Sequence, residues 1–293
     1  MSSEIGLRFL RIGHCLGPKA LTERGGAWAL GRFPAMAALI QHPLHGTILF
    51  DTGYGAAFFA ATRGLPERFY RWFTPVRLPK GEALPQQLAA LGVATPDLVV
   101  LSHLHGDHVA GLFDLGPLDM PLLTSREAIE GLGLGRLASL RAGCPKGLRD
   151  RLRALPLQSI EDRAEVDLTP FHMGAFGKGR DLLGDGSLIA IALPGHGCGQ
   201  FGLLLPQSAL GPVFLIADAA WSGRALRENR PPPATVLRRL GDLAAYERSF
   251  AALRALGQSW PELRLIASHC PETFEDSFAA PFTETKTFKE TDR

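Results

Sequence analysis

Four apolar runs of strand length in this sequence each end on a side chain able to bind a metal ion. "DLVVLSH" ends at His103, "SLIAIALPGH" at His196, "PVFLIAD" at Asp218 and "LRLIASH" at His269, and "GTILFD" ends at Asp51 in the same manner. Short apolar runs bounded by Gly, Pro or polar residues read as buried strands. Strands packed side by side bring such ends together along one edge of a sheet or sandwich, where α/β proteins place their chemistry. Residues far apart in the chain would thus become one site.

The rest of the chain fits around that pattern. "IGLRFLRIG", "MAALIQH" and "GTILFDTG" read as an antiparallel start, and "ALPQQLAALG" as a helix ended by Gly92. Helical stretches over 125–141, 146–155 and 234–256 can cover outer sheet faces, so the fold class is α/β. A single domain over 1–280 followed by a polar C-terminal tail, 281–293, is expected.

Composition excludes several classes. The 293 residues are 46% hydrophobic and 20% charged, with a formal net charge of +2, which suits a folded globular chain and supplies no nucleic-acid-sized basic surface. Every apolar stretch is broken before the roughly 18–20 residues that a membrane helix needs, so neither a membrane span nor a membrane partner is expected. "MSSEIGLRFLRIGHC" carries acid and arginine where a secretory peptide would be apolar, and the location expected is cytoplasmic. Cys15, Cys144, Cys198 and Cys270 form no CxxC pair and read as reduced thiols, packing residues even where Cys198 and Cys270 neighbour histidines.

The densest chemistry lies in "LSHLHGDHVAGL", residues 101–112. In an extended loop, side chains two apart point the same way, so His103 and His105 can grip one cation, while Asp107 and His108 aim at a second position nearby. Imidazoles with a carboxylate suit Zn²⁺, Fe or Mn rather than Ca²⁺ or Mg²⁺. The bland alternatives are a hydrogen-bonded polar loop here, structural roles for His196 and His269, and an ordinary turn residue at Asp218.

Taken in order, "HLHGDH", "PGHGCGQ", "IADAAW" and "ASHCPE", with the early "ILFDTG", resemble the metallo-β-lactamase superfamily from about residue 8 to 275. The resemblance implies an αββα sandwich with a dinuclear site between its loop edges. It assigns His103, His105 and His196 to one divalent transition metal and Asp107, His108 and His269 to the other, with Asp218 bridging. Zn²⁺ is the first expectation for both, with Fe or Mn as alternatives. Aspartate rather than cysteine at 218 separates the chain from the zinc β-lactamases that use a cysteine there, and His105 from the flavodiiron proteins, which carry glutamate. Two cations sharing a water bring its pKa towards neutrality, so the resemblance implies a hydrolase with Asp107 as the catalytic proton carrier.

Within the superfamily, "QQLAALGVATPDLVVLSHLHGDHVAGL" and "PGHGCGQ" are most similar to the quorum-quenching N-acyl homoserine lactonases. Those carry a tyrosine three residues after the bridging aspartate, where this chain has Trp221, whose indole N–H donates but cannot act as a phenol. The expected substrate is therefore a small molecule, a lactone or related ester. The alternatives are a thioesterase, arylesterase or phosphodiesterase, or a metal-binding accessory or regulatory protein with vestigial activity. Phe58, Phe69 and Phe73, with Phe59, Tyr70 and Trp72, form either an apolar wall for the substrate or helix packing. Of the histidines outside the motifs, His14, His42, His45 and His172, the last is expected nearest the site.

Overall fold

A computed structural model describes residues 4–274, so the boundary expected at 280 and the tail 281–293 lie outside the described residues. The first fifty residues form β1 (Gly6–Pro18), β2 (Leu30–His42) and β3 (Gly46–Phe50). These three are antiparallel neighbours, as their alternating apolar pattern suggests. β4 (Val76–Arg77) pairs with β1, while β5 (Leu98–Val100), β6 (Leu122–Thr124) and β7 (Leu157–Ser159) extend the other side in parallel with β3. The sheet runs β4-β1-β2-β3-β5-β6-β7.

The second sheet comprises β8 (Ala164–Asp167), β9 (Lys178–Asp181), β10 (Ile189–Ala192), β11 (Phe201–Leu205), β12 (Val213–Ala217) and β13 (Arg264–Ala267). Its order is β13-β12-β11-β10-β9-β8. All its pairings are antiparallel except β12 with β13.

Side chains alternate across a strand, so one run can feed two cores. Ile48 and Phe50 of β3, Val100 of β5, Leu203 of β11 and Leu215 of β12 fill the space between the sheets. Phe50 meets Phe201 edge-on across that space, ring centroids 6.5 Å apart. Leu49 and Val99 face the other way, onto Phe58, Leu84, Leu88, Leu148 and Leu152 of the covering helices. On the far side Leu204, Phe214 and Ile216 pack on Tyr246, Phe250, Leu253 and Leu256, one face of the helix Leu243–Ser259. The layers are helix, sheet, sheet, helix: the αββα sandwich.

Two of the expected helices are divided. The stretch 125–141 becomes Arg126–Gly131 and Arg136–Arg141, separated by the glycines of "GLGLG". The stretch 234–256 becomes Ala234–Leu240 and Leu243–Ser259, parted at Gly241. A Cβ at Gly241 would lie 2.2 Å from the Gly195 carbonyl oxygen, so the chain bends there to let the "PGH" loop close against it. Among the described residues no helix is long and apolar enough to cross a membrane.

Candidate metal centre

Topology gathers the ligands. β3 and β5 run in parallel, and β10, β12 and β13 share one direction, so all five deliver their carboxyl ends to the same edge of the sandwich. His103, His105, Asp107, His108, His196, Asp218 and His269 meet there, each 9% exposed or less. Three overlapping groups have ligand atoms within 4.8 Å of one another: His103–His105–His196, His103–His108–Asp218 and Asp107–His108–His269.

Asp218 is central. Its Oδ2 lies 3.1 Å from His196 Nε2 and 3.0 Å from His269 Nε2, and its Oδ1 lies 3.4 Å from His108 Nε2. Asp107 Oδ2 is 3.4 Å from His269 Nε2. One carboxylate thus touches both imidazole sets.

The outer contacts decide which nitrogens face inward. His108 Nδ1 donates to Asp51 Oδ2 at 2.8 Å, and His269 Nδ1 donates to the Pro34 carbonyl at 2.7 Å. Ser102 Oγ gives its proton to Asp51 Oδ2 at 2.7 Å, so at 3.0 Å from His103 Nδ1 it acts as an acceptor. All three rings therefore carry the proton on Nδ1 and leave an Nε2 lone pair for the site. Consistent with that, His103 Nε2, His108 Nε2 and Asp218 Oδ1 are buried without a hydrogen-bond partner. Left bare they would be costly; as ligands of divalent cations they are satisfied. The donor set fits two transition-metal ions.

Electrostatics run the same way. Burial, then the neighbouring imidazoles, hold His103 and His105 well below the ordinary histidine pKa. Burial also opposes charge on His108, but Asp218, Asp51 and Asp107 outweigh it and lift its pKa well above the ordinary value. At His269 burial is likewise overcome, chiefly by Asp218, and the pKa rises to about 9. Asp218 is held well below the usual carboxylate range, because His269, His108 and His196 outweigh its burial. An ionised, buried Asp218 requires positive charge beside it, and a cation competes there with protons.

Backbone fit matters as much. Gly143, at φ +72°, packs where a Cβ would lie 2.6 Å from His105 Cδ2, and Gly197 where one would lie 2.8 Å from His103 Cδ2. Asp51 ends β3 as the ligands end theirs, yet it orients His108 and Ser102 and joins no ligand group. Ser102 stands inside the motif segment, so its adjacency was a usable signal. The Pro34 carbonyl, Gly143 and Gly197 carried none.

The aromatic wall expected from the sequence is divided. Phe58 is fully buried, edge-on to Tyr54, Phe59 and Tyr70, and presents no surface to a ligand; it is a core residue because its helix lies on the first sheet. Phe69 and Phe73 stack on each other at 6.3 Å and are 45% and 78% exposed. Trp221 stands edge-on to His196, ring centroids 5.8 Å apart, with its indole nitrogen buried and unpartnered.

A cleft of about 30 Å³, room for one water or methyl group, reaches His105 beside Leu104, Leu134, Cys144 and Cys198. The larger hollow, about 330 Å³ beside Ile129 and Leu152, touches none of the ligands. All four cysteines are free; Cys270 Sγ accepts from the Gly223 amide at 3.3 Å, and the Cys198 thiol donates to the Glu127 carbonyl at 3.3 Å.

His172 does not approach the site. Its ring lies 6.2 Å from that of Trp260, at the carboxyl end of the helix Leu243–Ser259, whose first turn packs on Gly195. Seventeen helical residues separate the two ends by about 25 Å. A further cluster, His42, His45 and Asp185, lies at the opposite edge of the sandwich, with His45 Nε2 3.4 Å and His42 Nε2 3.6 Å from Asp185 Oδ2. There His42 Nδ1 accepts the amides of Leu44 and His45, both at 3.2 Å, so the neutral ring carries its proton on Nε2, which faces Ser187 Oγ at 3.1 Å. That tautomer offers a cation no lone pair.

Solved structures share this arrangement of sheets. An N-acyl homoserine lactone hydrolase, with the product N-hexanoyl-L-homoserine bound at its catalytic metal centre, superposes with a TM-score of 0.69 at 17% identity, over 93% of this chain and 96% of the other. A quorum-quenching N-acyl homoserine lactone lactonase gives 0.67 at 17% identity, over 94% and 95%. A probable metal-dependent hydrolase from Staphylococcus aureus gives 0.65 at 14% identity, over 92% and 91%. At such identities the likeness establishes the fold. No curated protein sequence matches the chain. The sequence profile of the metallo-beta-lactamase superfamily, however, matches residues 30–260, a span containing six of the seven converging ligands and the acceptors Pro34 and Asp51. With the sandwich and the clustered ligands in place, the chain belongs to the metallo-beta-lactamase superfamily.

Proposed function

We propose that this chain is a metal-dependent hydrolase acting on lactones or closely related carboxylic esters. The observation that carries the reading is Asp218, a buried carboxylate in contact with His196 on one side and with His108 and His269 on the other. His103, His105, His196, Asp107, His108, His269 and Asp218 would hold two cations, which when bound would supply a nucleophile from water near neutral pH and polarise the attacked carbonyl. Asp51, Ser102 and the Pro34 carbonyl keep the imidazoles in the tautomer that binding requires.

Asp107 is the carboxylate suited to proton transfer. It is 9% exposed against 2% for Asp218, so it lies nearer the opening, and its contact with His269 holds it in place. When a ring ester opens, the departing alkoxide needs the proton that the attacking water gives up, and Asp107 would accept that proton and return it to the leaving oxygen. Trp221 beside His196 forms one wall, with a single N–H to offer an oxygen of the substrate.

What supports a lactone substrate is the shared fold with structures described as N-acyl homoserine lactone hydrolases. Trp221 stands where the resemblance to that branch implies a tyrosine. The test is turnover by metal-loaded protein of acyl homoserine lactones, simple γ- and δ-lactones, an aryl ester, a thioester and a phosphodiester, each against metal-free protein. Ring-opening, followed as base-dependent proton release, supports the reading. Turnover of only the aryl ester, thioester or phosphodiester replaces it with that hydrolase, and turnover of none leaves a metal-binding accessory protein.

A further inference from the structure

We propose that this protein docks on anionic phospholipid surfaces through the face formed by the helix Arg68–Phe73 and the segment 134–141. Apolar side chains are concentrated there: Leu65 is 59% exposed, Phe69 45%, Trp72 59%, Phe73 78%, and Leu137 61%. They form one patch because Arg136 ties the two segments together. Its Nε donates to Glu67 Oε1 at 2.7 Å and its Nη2 to the Leu65 carbonyl at 2.8 Å. Phe69 then meets both Trp72, at 5.4 Å between ring centroids, and Phe73. Large contiguous apolar surfaces on soluble chains mark contact sites.

Charge selects the occupant. Residues 63–80 hold Arg63, Arg68, Arg71, Arg77 and Lys80, and the one acid among them, Glu67, is committed to Arg136. In the second segment Arg141 adds an exposed cation, while Arg136 is held by Glu67, and Lys146 and the buried Arg149 are both paired with Asp150. In a chain whose formal net charge is only +2, this face is a local concentration of cations around exposed aromatics. Arg68 lies 6.0 Å from the Trp72 ring centroid, and Arg71 lies 5.8 Å from that of Phe59.

Tryptophan and phenylalanine ringed by arginine suit the boundary between headgroups and acyl chains of an anionic bilayer. A second copy of this chain is a poor match, since a two-fold contact would set the arginines of one copy against those of the other. The face also borders the metal centre, because Phe58 connects Tyr70 to Gly106, and Gly143 supports His105.

The experiment is flotation of the full, metal-loaded chain with phosphatidylcholine vesicles, with and without phosphatidylglycerol, at low and high salt. The protein is expected to float with the mixed vesicles at low salt and to be released by high salt. The double variant W72E/L137E is expected to partition at least about tenfold more weakly. R68Q/R71Q should reduce binding to the mixed vesicles alone. Trp72 and Leu137 are exposed and Arg68 and Arg71 half-buried, and an unchanged metal content and circular dichroism spectrum will show that the variants remain folded. Absence of flotation, flotation indifferent to lipid charge, or a self-association that W72E/L137E abolishes each overturns the proposal.

Discussion

At one edge of the sandwich His103, His108 and His269 turn their Nδ1 atoms outward to a hydroxyl, a carboxylate and a carbonyl. At the other edge His42 Nδ1 receives two backbone amides. Both regions gather histidines around an aspartate, and residue type alone does not separate them. The difference lies in what stands behind the ring. An acceptor behind Nδ1 frees Nε2 for a cation, whereas a donor behind Nδ1 forces the proton onto Nε2. His42 is also kept below the ordinary histidine pKa by burial, against the opposing pull of Asp185, and serves as a neutral pin between the β2–β3 turn and the loop before β10.

The sharpest way to break this comparison is at the two aspartates. Asp218→Asn should fold normally yet lose roughly a hundredfold or more in turnover, because an amide lacks the charge that holds two cations together. Asp185→Asn should leave turnover unchanged. Steady-state kinetics beside circular dichroism check both, and full activity with full metal content in the Asp218 variant would leave that residue a turn residue.

Metal content comes next. Protein purified without chelator should carry about two equivalents of transition metal by elemental analysis, and His42→Ala/His45→Ala should carry the same number. A third equivalent lost in that double variant would contradict the tautomer argument. Stripping the metals should lower Tm by several degrees, since a ligand at a thousandfold its Kd contributes about 4 kcal/mol.

Removing the support behind one ring sharpens the contrast further. Asp51→Ala takes the acceptor from His108 and Ser102 and should weaken metal binding by roughly ten- to a hundredfold, measured by competition with a chelating dye. Asp51→Asn should do less, because its amide oxygen still accepts from Nδ1. Smaller still, Trp221→Phe should keep kcat on a lactone within roughly tenfold, the scale of one neutral hydrogen bond. At the far edge, His42→Ala should cost only about 1 kcal/mol of stability in denaturant unfolding and no metal.

Much of the metal centre was legible beforehand. The strand ends carrying His103, His196, Asp218 and His269 stood out because apolar runs and ligand types are both local properties, readable within a few residues. The antiparallel start and the helix ended by Gly92 were legible for the same reason. The divided helix at Gly241 was not, since what bends it is the Gly195 carbonyl, forty-six residues earlier in the chain. Phe58 read as well for a substrate wall as for a core, and only the sheet beneath its helix settled it.

The sequence by itself determined the strands that end in metal-competent side chains and the dense "HLHGDH" segment, from residue chemistry and from periodicity along a single segment; the complete set of five imidazoles and two carboxylates was implied by the resemblance of its ordered motifs to a family. Tertiary structure alone decided that Asp51 orients His108 from outside the ligand groups, that a proline carbonyl from β2 reaches His269, and that His172 sits beside Trp260, at the far end of the helix whose first turn packs on Gly195. Those outcomes depend on distances between segments far apart in sequence, and such distances exist only once both sheets have packed.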